Sequence, residues 1–394
     1  MIKYNATLLS DEALTRARTL FPHTSTGRIY LNHAATSPLS VRVTEAMTRH
    51  LTERSSGIVE TWYKDSPVLE ECRGVVARMI NAESPDRIAY VGNTSDGLNI
   101  DASGIPWRSG DRILLNDLEF PANIHPYYHL RSRGVEIDLL MAGRGRITVE
   151  MIERSLRPHT RVVALSAVQY LSGHRADLAA IGEICRLRGV RFVVDGIQAV
   201  GAVRIDVQSM KIDAMSSGGQ KWQMSPQGTG WLYLTESMQE EIHQQFVGWL
   251  GVADPWQFSK YDQPLAPTAR RYEGGSLNTP GLLGMKAAIE TLLEFGLGAI
   301  ESHILVLTAR LRDGILRTGA LVLETPEEDS ERAGILTFSS AGGRNLKPVF
   351  EALQSRRIDI SLREGKLRFS PHFYNSPAEA DAVIDAVGEI LRTR

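Results

Sequence analysis

Apolar residues in the first two thirds of the chain come in short blocks with two different spacings. Val43, Met47 and Leu51 recur at helical intervals within Ser40 to Glu53, and Val68 to Ile80 repeats the pattern. Ile88 to Val91, Arg112 to Leu115, Val135 to Met141, Val162 to Ser166, Phe192 to Asp195, Asp213 to Ser216 and Trp231 to Leu234 are instead short apolar runs, as in strands buried on both faces. Helical stretches such as Ala179 to Leu187 separate them. This alternation predicts an α/β layer around a mainly parallel sheet, with ligands beyond the carboxyl ends of the strands. That rule places Asn93 to Gly97, Asp117 to Asn123, Gln169 to Ser172, Asp195 to Gln198 and Ser216 to Lys221 along one edge.

The rhythm changes after Leu234. Glu236 to Phe246 reads as a helix, and Gly248 to Pro267 as an ordered excursion whose Trp249, Trp256, Phe258 and Tyr261 are expected to find cover. Gly281 to Phe295 is a glycine-punctuated helix. Beyond it come a helix from Ala299 to Arg317, strands near Leu321 and Leu336, and a helix from Leu346 to Arg356. A hairpin then pairs Ile358 to Leu362 with Lys366 to Phe369, and Ser376-Pro377-Ala378-Glu379 opens the last helix with the signs of a capping box. At the other end, a helix over Asp11 to Phe21 precedes the short strand Ile29 to Leu31. The expected division is an N-terminal segment packing near the site (1–40), a large domain (41–280) and a smaller α+β C-terminal domain (281–394).

Composition narrows the partners. With 394 residues, 43% of them hydrophobic, the chain is too long for one simple core, and a net charge of −2 predicts neither nucleic-acid nor membrane binding. Cys72 and Cys185 are the only cysteines and lack metal-ligand spacing, so neither a disulfide framework nor a metal site is expected. The opening stretch MIKYNATLLSDEAL has no apolar run, and no later run has the length of a membrane span, which predicts a soluble, cytoplasmic protein.

Two strand ends carry the candidate chemistry. One run delivers Asp195, and the next leads to Lys221, 26 residues later, in a loop rich in Gly, Ser and Pro. Ile88 to Val91 runs into Gly92-Asn93-Thr94-Ser95-Asp96-Gly97 and a helix start, whose free N–H groups and dipole favour phosphate; Thr94 or Ser95 would serve equally as an ordinary cap. Phe120 follows a strand end, where it would stack on a planar ligand or join the core. Asn32 to Thr36 either brings its backbone near a ligand or is a plain turn capped by Ser37, with Pro38 at the first helical position. Asp195, Lys221 and the phosphate-type helix start together fit pyridoxal 5′-phosphate: the lysine forms the Schiff base, and the carboxylate keeps the pyridine nitrogen protonated.

The run Val193 to Gln198, its spacing to Gly219-Gln220-Lys221-Trp222, and Pro226-Gln227-Gly228-Thr229-Gly230 resemble the class V aminotransferase family. These are pyridoxal-phosphate enzymes of fold type I, among them cysteine desulfurases, selenocysteine lyases, isopenicillin N epimerase and kynureninase. The likeness extends to Tyr30 to Ala35, Arg271 to Ser276, and Leu367 to Ser370 with Tyr374-Asn375. It implies Lys221 as the Schiff-base lysine and proton shuttle, Asp195 on the pyridinium, and Gln198 near the ring's 3-oxygen. It implies Thr94, Ser95 and Gln220 around the phosphate, the last where relatives carry His, with Phe120 above the ring. Arg368 would grip the substrate carboxylate, and Asn32, His33, Gln169, Tyr170 and His174 would lie near the substrate. Ser276 would reach the phosphate of a neighbouring subunit, implying a homodimer with shared sites.

Two departures stand out. Tyr170 takes the place of an Asn found in desulfurases, and Ile358 to Arg368 holds no cysteine and is too short for the loop carrying the desulfurase nucleophile. The expected function is an enzyme that deprotonates Cα of an amino acid held as a Lys221 aldimine, an aminotransferase or lyase; the alternatives are an epimerase and a non-catalytic binding protein on the same fold. Loss of Lys221 or Asp195 would mark the last, and both are present. A dinucleotide oxidoreductase is disfavoured, since no strand leads into G-x-G-x-x-G with an acidic residue some twenty positions on.

Overall fold

The computed structural model describes residues 6–393, without the side chain of Arg144. Met1 to Asn5, the head of the N-terminal stretch read above, and Arg394, the last residue of the expected C-terminal unit, lie outside the described residues. The chain opens with α1 (Asp11–Thr19), β1 (Ile29–Tyr30), α2 (Val41–Ser56) and α3 (Trp62–Ile80). Strands and helices then alternate: β2 (Ile88–Val91), α4 (Thr94–Gly104), β3 (Arg112–Asn116), α5 (His125–His129), β4 (Glu136–Leu140), α6 (Val149–Ser155), β5 (Thr160–Ser166), α7 (Leu178–Arg188) and β6 (Arg191–Asp195). β7 (Ala214–Gly218), β8 (Gly230–Leu234) and the short α8 (Glu236–Glu241) close this part.

These strands form one seven-stranded sheet in the order β2-β8-β7-β6-β5-β3-β4, with only β8 antiparallel to its neighbours. Side chains alternate between two cores. Phe192, Val194, Val163, Leu165 and Met215 enter one buried cluster, while Val193, Val162, Ala164 and Ala214 enter another on the opposite face. Burial on both faces explains why the strands read as continuous apolar runs. Because every strand except β8 points the same way, Thr94, Asn116, Ser166, Asp195 and Gly218 arrive at one edge.

The C-terminal part contains α9 (Thr279–Phe295), α10 (Leu297–Leu316), β9 (Leu321–Leu323), β10 (Leu336–Ser340), α11 (Lys347–Ser355), β11 (Ile358–Asp359), β12 (Ser361–Arg363), β13 (Lys366–Phe369) and α12 (Pro377–Arg392). Its four-stranded sheet runs β12-β13-β10-β9 over a cluster that includes Leu311, Leu336, Phe338, Leu367, Phe369 and Val383. Ser376 and Glu379 form the capping box of α12, with Pro377 at its start. No single helix among the described residues is long and apolar enough to cross a membrane.

Four expectations need correction. The helix expected over Glu236 to Phe246 stops at Glu241, where His243 N turns away to donate to the Gly104 carbonyl at 2.7 Å. The strand expected over Ile358 to Leu362 is two: β11 pairs in parallel with β1 (Ile29 opposite Ile358), and only β12 joins the hairpin with β13. Ser37 caps no helix, because Ser40 caps α2 by accepting from Val43 N at 3.3 Å. The aromatics of Gly248 to Pro267 pack on one another, Trp249 on Trp256 with ring centroids 5.7 Å apart, yet they stay largely exposed, Tyr261 at 93%.

Candidate active site

The anion end of the site lies where β2 meets α4. Asn93, not Thr94 or Ser95, caps this helix, its side-chain oxygen accepting from Asp96 N at 3.0 Å. Both hydroxyl residues therefore sit in the first turn, free of capping duty. Thr94 Oγ1 accepts from Gly218 N at 2.8 Å, and the Thr94 carbonyl accepts from Ser216 Oγ at 2.9 Å, which ties α4 to the end of β7. A Cβ on Gly218 would stand 2.6 Å from Gln220 Oε1 and 3.3 Å from Thr94 Oγ1. Glycine here leaves a polar notch at a helix N-terminus, the setting in which backbone N–H groups receive phosphate.

Asp195 ends β6 and is 2% exposed, one carboxylate oxygen accepting from Ile197 N at 2.9 Å. Burial raises its pKa to about 7; the charge of Glu119 adds to the rise, while the Ile197 N–H and the Lys221 ammonium oppose it. Lys221 follows β7 in a loop held from several sides. Ser37 N donates to the Gln220 carbonyl at 2.8 Å, Ser37 Oγ to the Lys221 carbonyl at 2.5 Å, and Met224 N to the same carbonyl at 3.0 Å. Gly201, at φ +100°, lies against this loop so closely that a Cβ would come within 2.3 Å of the Trp222 carbonyl. The Lys221 nitrogen makes no hydrogen bond or ion pair among the described residues and lies 5.7 Å from the centre of the Phe120 ring. Burial lowers its pKa to about 8; Asp195 opposes this, and the guanidiniums of Arg368 and Arg363 reinforce it.

Behind the loop stands a neutral wall. Gln198 donates from Nε2 to the Ala34 carbonyl at 3.0 Å and accepts from Trp222 Nε1 at 2.8 Å, so its amide orientation is set. His33, expected near the substrate, is fully buried: Nδ1 bonds the Ser370 carbonyl and Nε2 the Tyr374 hydroxyl, each at 2.8 Å. Both nitrogens are engaged, so His33 is a packing residue rather than a substrate contact. Burial holds its pKa well below the usual imidazole value, and that of His372 near 3.

The substrate end rests on β13. Arg368 is 2% exposed, donating from Nη1 to the Tyr170 carbonyl at 2.7 Å and from Nη2 to Ser361 Oγ at 3.4 Å, while its Nε has no partner. Ser361 Oγ in turn donates to Asn32 Oδ1, so Asn32 reaches Arg368 through an intervening hydroxyl. Arg368 has no carboxylate partner among the described residues, and burial lowers its pKa to about 10. The Tyr170 ring meets Phe120 edge-on, with centroids 5.4 Å apart. His174 lies deeper, its Nε2 bonded to the Ile147 carbonyl at 2.9 Å. Ser276 is exposed and joins none of these contacts, whereas Glu273 in the same motif is buried and paired with Arg73.

Sequence reasoning overlooked Glu119. This buried carboxylate accepts from Asn116 Nδ2 (2.6 Å), Asn123 Nδ2 (3.0 Å), Ser166 N (2.8 Å), Ser166 Oγ (2.5 Å) and Gln169 Nε2 (2.8 Å). It clamps the segments carrying Phe120, Asp195 and Tyr170 to one another, since Ser166 lies opposite Asp195 in the sheet. The available signal was an acidic residue at a strand end directly before a candidate aromatic.

A parallel sheet that presents a buried carboxylate, a half-buried lysine without a hydrogen-bond or ion-pair partner among the described residues, and a polar helix start at one edge defines a fold-type-I pyridoxal-phosphate enzyme. The Gly218 notch, the free Lys221 nitrogen and the orphaned Arg368 Nε show that the residues present suit the cofactor and an amino-acid carboxylate. The chain belongs to the aminotransferase class-V family, whose model matches residues 29–376. It is 27% identical to a protein of Methanothermobacter thermautotrophicus described as a probable cysteine desulfurase, over 92% of this chain and 94% of that one. Its fold matches the apo cysteine desulfurase of Thermococcus onnurineus NA1 (TM-score 0.88, 23% identity, 99% and 100% of the two chains). It also matches a complex of the cystine C-S lyase C-DES with cysteine persulfide (TM-score 0.86, 22% identity, 94% and 99%).

Proposed function

We propose that this chain is a lyase or aminotransferase that breaks the Cα–H bond of an amino acid whose carboxylate is bound by Arg368, with Lys221 as the base. The observation that carries this reading is a buried guanidinium without a carboxylate partner among the described residues, close enough to a half-buried lysine to depress its pKa. Thr94, Ser95 and Gln220 would hold the phosphate, Asp195 the pyridine nitrogen and Gln198 the 3-oxygen, with Phe120 stacked on the ring. Bound pyridoxal phosphate supplies the electron sink for the carbanion. Lys221, with a pKa of about 8, takes up the Cα proton near neutral pH and returns it to another atom.

Two further observations refine the reaction. Among the charged groups of the described residues that act on Lys221, Asp195 is the one carboxylate, and in this reading it is assigned to the ring, so elimination or transamination is preferred to epimerisation. Cys72 and Cys185 are both buried, burial raising their thiols to about 11 and about 12, and the β12–β13 hairpin holds no cysteine. Neither thiol suits persulfide relay, so the reading is elimination or transamination without sulfur transfer through a protein cysteine.

The active form in this reading is a homodimer. The exposed apolar side chains of Tyr63, Phe246, Trp249, Trp256, Phe258 and Tyr261 supply a surface for a second copy, and Ser276 follows them in the chain. The test is direct. Reconstituted protein should absorb as a Schiff base, and borohydride should fix the cofactor on a peptide containing Lys221. Amino acids should then yield keto acid or ammonia. An inverted stereocentre without either product would favour the epimerase, and protein that takes up no cofactor would sink the proposal.

A further inference from the structure

The β12–β13 hairpin closes with a two-residue turn, Glu364-Gly365, at φ +47° and +72°, the positive values of a tight primed turn. A rigid turn therefore stands where desulfurases carry a loop. Ser361 faces Arg368, Leu362 faces Leu367 and Arg363 faces Lys366 across the hairpin. Leu367 is buried in the small-domain core, and Leu362 packs against that core, so one face of the hairpin points inward. Alternation puts Ser361, Arg363, Lys366 and Arg368 on the other face, the one that reaches Tyr170 and Asn32.

On that face Arg363 is the diagonal neighbour of Arg368, a spacing of about 7–8 Å between backbone positions that long side chains bridge. Lys366 is neutralised by Glu324 at 2.8 Å. Arg363 is exposed and makes no ion pair or side-chain hydrogen bond among the described residues. Its charge reaches both Arg368 and Lys221, depressing the pKa of each. The rim thus holds two guanidiniums on a fixed frame, one buried and one exposed, with no carboxylate paired to either. A single α-carboxylate satisfies only one.

We infer that the substrate is an amino acid with a second carboxylate on its side chain, whose α-carboxylate lies on Arg368 and whose distal carboxylate lies on Arg363. The inference rests on the pyridoxal-phosphate reading above and names the substrate class of that site. Two guanidiniums on diagonal positions of one hairpin face repel each other in the free enzyme, and a dianion relieves both charges. The exposed position of Arg363 also admits side chains of more than one length.

The test compares isosteric pairs on the reconstituted enzyme: aspartate with asparagine, and glutamate with glutamine. The dissociation constant is read from the cofactor absorbance, and kcat/KM from product. At least one acidic member should exceed its amide by about tenfold to a hundredfold, the range of a charge-assisted hydrogen bond. Arg363→Gln should erase most of that ratio, acting mainly through KM, and Arg363→Lys should restore part of it. Amides matching or exceeding both acids, or Arg363→Gln lowering acid and amide equally, would overturn the inference while leaving the cofactor reading intact. Failure of cofactor uptake would instead remove the reading on which it rests.

Discussion

The two ends of the site are built in opposite ways. At the cofactor end, Asp195 and Gly218 sit at the tips of neighbouring strands and Thr94 at the helix start that follows β2 of the same sheet, each held by a hydrogen bond involving a backbone N–H. At the substrate end, Arg368 depends on Tyr170, 198 residues away in sequence, and on a hydroxyl bonded to Asn32, 329 residues from Ser361. The first end is built mainly on one sheet, with its backbone anchors hydrogen-bonded. The second is assembled from three distant segments and leaves one buried guanidinium atom, Arg368 Nε, unpartnered. A preorganised cofactor end lets one chemistry persist, while an unsatisfied substrate end sets the specificity.

The sharpest test of this contrast removes a group at each end. Lys221→Ala should cut turnover by about 10³-fold or more while leaving cofactor uptake measurable by absorbance, because in the proposed reading the lysine is the base at the reacting carbon. Arg368→Lys keeps the charge but loses the planar fork. We expect kcat/KM to fall by roughly a hundredfold with cofactor affinity unchanged, and a parallel loss of cofactor would show that the two ends are not separable.

Glu119→Gln tests the clamp between them. An amide places a donor among the donors of Asn116, Asn123, Ser166 and Gln169, so urea denaturation should show a loss of about 1–3 kcal/mol. Turnover should fall with it as Phe120 and Tyr170 shift. Unchanged stability would mean that the clamp is dispensable.

The smallest effect concerns the pH dependence of the cofactor-free protein. Asp195 has a pKa of about 7 in the fold against 3.8 for a free aspartate side chain, so between these values the folded chain keeps a proton that the unfolded chain has lost. Its stabilising bias is complete below about pH 4 and disappears as pH rises through 7. Asp195→Asn should flatten the decline in melting temperature over that window, and an identical pH curve would refute the assignment.

Much of this organisation was legible in the chain. The apolar runs marked the seven central strands because strands buried on both faces carry no polar alternation, and their carboxyl ends marked Asp195 and Lys221. The capping box of α12 was read correctly because its two hydrogen bonds lie within four residues. The misread elements depended on distant partners. α8 stops short because Gly104 draws off the chain, β11 separates from β12 because β1 claims it, and Ser37 binds the Lys221 loop instead of a helix. His33 showed the same limit: a histidine beside a motif carries no local sign that Ser370 and Tyr374 will take both its nitrogens.

By itself, then, the sequence determined the sheet, the strand-end carboxylate, the loop lysine and the family to which the chain belongs. Each of these follows from periodicity or from residue types a few positions apart. Only the tertiary structure decided that Asn93 caps α4 so that Thr94 and Ser95 are released from capping, that Glu119 clamps three segments, and that Arg363 stands beside Arg368 without a counter-charge among the described residues. Hydrogen-bond satisfaction and charge pairing are settled among residues that meet only after folding, and a linear chain carries no record of which of them are left unpaired.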